Sequence, residues 1–144
     1  MKKIRILFLV ILFPLAWFAC EKNIVTVNEG AGIDTGKLIG NWTHPQYNDS
    51  TITYEKSTKL PDNEYGFSFK TDNIFLEHKN TGWCGTPPVA YGDYEGTWTK
   101  NDSILDVSVG YWGGTEDFKC KIMSVDQHHL TLFTVAVEYH PENR

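Results

Sequence analysis

Four aromatic residues lie in or beside the two loops richest in glycine and proline: Trp83, Tyr91, Tyr111 and Trp112. Rings displayed on such loops can stack on another ring, a sugar face or a lipid chain. The same rings can instead plug a core and leave no cavity, and the sequence does not choose between the two. Asp93, Glu95, Glu116 and Asp117 flank these loops. A glycosidase would need two such carboxylates at a set separation, but nothing in the sequence sets one, and strand-edge charges are ordinarily solvated. His128 and His129 look like a metal pair, yet adjacent residues of a strand point to opposite faces. The other histidines, His44, His78 and His140, stand at unrelated positions, whereas zinc wants three or four convergent ligands. There is no glycine-rich phosphate loop, Gly-x-Ser-x-Gly elbow or His-Glu-x-x-His run. The expectation is a protein with no catalytic residue, no metal and no cofactor.

The N-terminus carries Lys2, Lys3 and Arg5 and then 14 apolar residues, 6–19. A bilayer-spanning helix needs about 20, so a basic flank before a short apolar run reads as a secretory signal. The sequence Ala16-Trp17-Phe18-Ala19-Cys20 resembles a bacterial lipoprotein signal, in which a small residue precedes a cysteine that becomes lipidated. Trp17 stands where that motif usually has leucine. The alternative is ordinary cleavage with Cys20 left as a thiol. With Cys20 lipidated, two of the three cysteines remain, Cys84 and Cys120. They would pair as a disulfide in an oxidising compartment or stay as two buried thiols. Removing residues 1–19 leaves 10 Lys+Arg against 18 Asp+Glu, or −8. Nucleic-acid binding needs clustered cations, so that class of partner is not expected.

These side chains must be positioned by strands. The motif Leu38-Ile39-Gly40-Asn41-Trp42-Thr43 opens the folded region and is echoed by Tyr94-Glu95-Gly96-Thr97-Trp98-Thr99. A glycine two residues before a tryptophan lets a backbone approach closely while the indole covers the gap. Gly40, Trp42, Gly96 and Trp98 are accordingly read as structural, with both indoles in the core. The sequence between 44 and 49 reads as a turn, and apolar alternation marks strands at 51–56, 65–69 and 74–79. Further strands follow at 91–100, 103–109, 118–122 and 130–137, with no helix expected after residue 20. Pro87 and Pro88 place 80–90 in a loop or at an edge, and 110–114 reads as another loop. The spacing from Trp42 to Asp72 and from Trp98 to Asp126 is similar, which suggests two four-stranded halves closing on each other. Asp49-Ser50-Thr51 and Asp102-Ser103-Ile104 resemble an O-glycosylation acceptor pattern of some envelope bacteria, although Asp-Ser is also common turn chemistry.

Gly40-Asn41-Trp42 at the first strand, followed by consecutive hairpins to a short tail, resembles the lipocalin-like families within the calycin group. Through Cys20, a linker and that Gly-x-Trp, the layout is similar to bacterial lipocalin-like lipoproteins. The long helix that lipocalins pack beside the barrel has no counterpart here, and the domain is shorter than theirs. The resemblance implies an all-β fold, an eight-stranded antiparallel up-and-down barrel, after a signal peptide (1–19) and a lipidated Cys20 with a flexible linker (20–36). The barrel would cover 37–139 and a polar tail 140–144. It also implies a non-catalytic barrel binding a small apolar or amphipathic ligand, lipid-anchored to a bacterial membrane, with the outer membrane favoured. The domain would face the periplasm or the cell surface. The competing expectation is a protein-interaction barrel, such as an inhibitor of a lysozyme-type hydrolase, since an acidic surface suits a basic enzyme. A structural envelope component is a third.

Overall fold

The computed structural model describes residues 33–82 and 89–142. The segment that carries the signal-peptide and Cys20 readings therefore lies outside the described residues, as do Trp83 and Cys84. Eight strands follow one short helix: α1 (Thr35–Leu38), β1 (Gly40–Asn48), β2 (Thr51–Ser57), β3 (Gly66–Phe69), β4 (Ile74–Asn80), β5 (Tyr91–Asn101), β6 (Ile104–Tyr111), β7 (Gly114–Val125) and β8 (His129–Pro141). All neighbours are antiparallel, and the sheet closes in the order β1-β2-β8-β7-β6-β5-β4-β3. The chain thus forms the expected eight-stranded antiparallel barrel.

Strands β3 to β8 are consecutive neighbours, but β1 pairs with both β2 and β3, and β2 pairs with β8. The connection from β2 to β3 therefore passes across β1, carrying Leu60 and Pro61, and the two strands it joins run parallel to each other. Pro61 supplies no backbone donor, which suits a connection rather than a ladder. The first four strands and the last four each form a contiguous run, and the two runs close on each other at β4–β5 and β2–β8, as the similar spacing in the two halves suggested.

Three local expectations are corrected. The stretch 44–49 is not a turn: β1 runs on to Asn48, with the register slipping between Thr43 and Gln46. Pro45 cannot donate to the ladder, so the strand bulges there, and His44 takes a positive φ of 52°. The loop read at 110–114 shrinks to Trp112 and Gly113, because β6 and β7 pair up to Tyr111 and Gly114. A single helical turn, α1, does follow residue 20, with the Asp34 side chain accepting from the Gly36 amide at 2.9 Å as its N-cap.

One end of the cylinder is sealed. Leu38 from α1 is fully buried beneath the barrel with Trp42, and the Trp42 indole donates to the Leu38 carbonyl at 2.8 Å. Trp98 donates to the Lys70 carbonyl at 3.1 Å and packs on Phe69 with centroids 5.0 Å apart. Lys56 lies over the Trp42 ring and donates to the Lys37 carbonyl. Both glycines of the repeated motif give up side-chain space to a neighbour. A Cβ on Gly40 would lie 2.7 Å from the Lys56 stem, and φ there is +134°. A Cβ on Gly96 would lie 2.8 Å from the Val109 Cα of its paired strand.

The other end is open. Strand β2 accompanies β8 only from His129 to Phe133, so among the described residues β8 from Thr134 onward pairs with β7 alone. Val135, Val137 and Tyr139 are about half exposed there (50%, 46% and 59%).

Candidate binding cavity

Inside the cylinder is a cavity of about 240 Å³. Its deep part is aromatic and aliphatic: Phe67, Phe69, Phe75, Leu105, Phe118 and Leu132 line it. These residues face inward because the pleat sends alternate side chains to one face. The rings meet mostly edge to face or tilted, Phe67 to Phe69 at 5.4 Å and Phe75 to Phe118 at 5.8 Å. Tyr47, Val137 and Tyr139 line the cavity and are also exposed. The opening therefore lies where the β1–β2 hairpin tip faces the unaccompanied part of β8.

Between the apolar floor and that opening is a charged group. The same pleat that turns Phe75 inward turns Glu77 and Lys79 inward, and Glu116 lies two residues before the inward Phe118. Lys79 Nζ donates to Glu77 Oε2 at 2.7 Å and to Glu116 Oε1 across the lumen. Strands β4 and β7 are not neighbours in the sheet, so this contact spans the interior. Tyr65 donates its hydroxyl to Glu77 Oε1 at 2.8 Å, and its ring lies 6.5 Å from that of Tyr54. Glu77 and Glu116 line the cavity, whereas Lys79 lies behind them over the Tyr94 ring.

Burial pushes the Glu77 carboxyl above its ordinary range, against the pull of Lys79 and Tyr65. Burial works to lower the Lys79 ammonium, but Glu77 and Glu116 overcome it and leave the group raised, hence charged. Desolvation raises both tyrosines, so Tyr54 and Tyr65 stay protonated. Cys120 also lines the cavity. It is a buried thiol, free among the described residues, and Cys84, with which a disulfide was expected, lies outside them; desolvation pushes the thiol up, with Thr134 acting in the opposite direction.

Trp83 lies outside the described residues, and the other three aromatic residues singled out by sequence are placed away from the cavity. Tyr91 stacks on His78 on the outer face, centroids 5.7 Å apart, and His78 holds Asp93 at 2.6 Å. Tyr111 and Trp112 touch each other, and Tyr111 meets the cavity residue Tyr139 edge-on at 5.6 Å. None of the three lines the cavity. Of the flanking acids, Glu116 faces the lumen, while Asp117 faces out to His140 at 3.0 Å. His128 and His129 are held in the β7–β8 turn by Asp126, which accepts from both backbone amides at 2.6 and 2.7 Å. Glu77, Lys79 and Tyr65 are not singled out by sequence. The signal was present: an acid and a base standing in phase with Phe75, where alternation demands apolar residues.

The geometry defines an antiparallel barrel with a closed floor and an amphipathic lumen. Comparison with known protein families, with curated proteins and with solved structures gives no match to this chain.

Proposed function

We propose that this protein is a non-catalytic binding barrel, similar to the lipocalin-like lipoproteins, that takes a small amphipathic molecule into its lumen. The observation that carries the reading is the cavity itself: about 240 Å³, apolar in its depth, polar near its mouth and open on one side. It is somewhat smaller than the 300–1,000 Å³ of drug-sized sites, so the occupant is a short molecule. Its affinity would come chiefly from apolar burial at ~25 cal/mol per Å². The two lumen carboxylates share one ammonium.

The proposal includes anchoring to a bacterial cell-envelope membrane through lipid on Cys20, supported by the basic flank, the short apolar run and Ala19-Cys20. A Cys20→Ser variant is expected to leave the membrane fraction for the soluble one, and unchanged membrane retention would remove the anchor from the reading. The binding reading is tested by native mass spectrometry of purified protein and by calorimetry against short aliphatic and aromatic compounds. Retention of a small species, or saturable binding that raises Tm, is expected. No bound species and no binding across the panel would reject it.

One observation favours a second reading. The unaccompanied part of β8 offers backbone hydrogen-bonding groups beside exposed Val135, Val137 and Tyr139, which suits a barrel that engages another protein by strand addition.

A further inference from the structure

The charge inside the lumen gives the occupant a chemical class. We infer that the cavity selects a cationic amphiphile, a short apolar body ending in an ammonium group, over its neutral and anionic counterparts; the inference rests on the reading of the cavity as a binding site.

Two carboxylates and one ammonium meet in the lumen, leaving one negative charge uncompensated within the group. It is Glu77 and Glu116 that line the cavity, while their shared cation sits behind them against Tyr94. Glu77 has a partner on each oxygen, Tyr65 on Oε1 and Lys79 on Oε2. Glu116 receives Lys79 on Oε1, and among the described residues Oε2 has no hydrogen-bond partner. Its side chain is 14% exposed and lines the cavity, and a charge in such a low-dielectric pocket attracts a counter-charge strongly. An N–H donor brought to Glu116 Oε2 completes the group.

The surroundings match the rest of such a molecule. The carboxylates lie one step nearer the mouth than Phe75 and Phe118, so an apolar tail reaching the floor leaves its head at the level of Glu116. Tyr47, Tyr54, Tyr65 and Tyr139 line the same space, and ring faces favour a cation within about 6 Å. A fatty-acid head would instead meet two carboxylates. The acid excess beyond the signal region also draws cations toward the protein from a distance.

The test compares three probes that differ only in the head: n-hexylamine, n-hexanol and n-hexanoate, titrated calorimetrically into the parent protein near neutral pH. The amine is expected to bind at least about tenfold more tightly than the alcohol, and the carboxylate most weakly. The amine's advantage should vanish in Glu116→Gln, whose fold is checked by circular dichroism. Equal binding of amine and alcohol, or preference for the carboxylate, would overturn the inference while leaving the cavity as a binding site. No binding by any of the three would overturn both. The head-group order is measured on the parent protein, so it decides the matter even if the variant fails to fold.

Discussion

Lys79 holds together two carboxylates that the fold would otherwise press against each other without relief. Removing one partner of a buried ionic group leaves an uncompensated charge, which costs about 3–5 kcal/mol. Lys79→Met is therefore expected to destabilise by that order near neutral pH. The pH dependence follows from Glu77, whose carboxyl is raised by burial. The folded state holds that proton more tightly than the unfolded chain does. Its contribution is thus fully present below the ordinary carboxylate range and is lost as pH rises through the raised value. The penalty of Lys79→Met should shrink on acidification, as read from urea melts at about pH 7 and about pH 4.5; an equal penalty at both would remove the electrostatic account. Asp126 has the opposite sign. Amides of His128 and His129 hold its carboxyl below the usual range, so its contribution is present above the unfolded value and lost as pH falls through the depressed one. Asp126→Ala should lower stability at neutral pH and converge with the parent in acid. Residue type alone gave neither role, although Glu77 stands in phase with the inward Phe75 and Asp126 lies in the β7–β8 turn.

Strands make their own demands on sequence. The motif Gly-x-Trp occurs twice because two strands each need a close neighbour and a covering indole at the sealed end. At Gly96 the neighbour is the β6 backbone, which cannot retreat without breaking its ladder to β7. Gly96→Val is expected to cost about 1–3 kcal/mol or more as overpacking, measurable as a drop in the urea midpoint. A midpoint unchanged within error would mean that the β5–β6 approach is not tight. In β8 the wall divides into two regimes. Amides of residues 130–133, laddered on both sides, should exchange slowly with deuterium. From Thr134 onward, slow and fast amides should alternate, because only those aimed at β7 have partners. Uniform protection of 134–141 by NMR would show that something covers that edge. Strand positions were readable from two-residue alternation, while their ends were not: Pro45 reads as a turn former, and only pairing with β2 shows that the strand survives it as a bulge.

At the scale of the molecule, one core of inward residues from all eight strands runs through the cylinder. Such a core is expected to melt as a unit, with tryptophan emission and far-ultraviolet circular dichroism changing together; separated transitions would mean that the sealed floor and the open end come apart independently. The sequence by itself determined the class of fold, because side-chain alternation and turn residues are properties of a few adjacent positions. It also marked Trp42 and Trp98 as paired features, and it placed an acidic excess on the chain. Only the tertiary structure decided which strands became neighbours, with β1 set between β2 and β3 and β8 left half accompanied. It alone moved the candidate site from the loop aromatics to the lumen, since Lys79 and Glu116 stand 37 positions apart and meet only when the sheet closes. Contacts across a lumen depend on how the cylinder wraps, and no local pattern of residues encodes that.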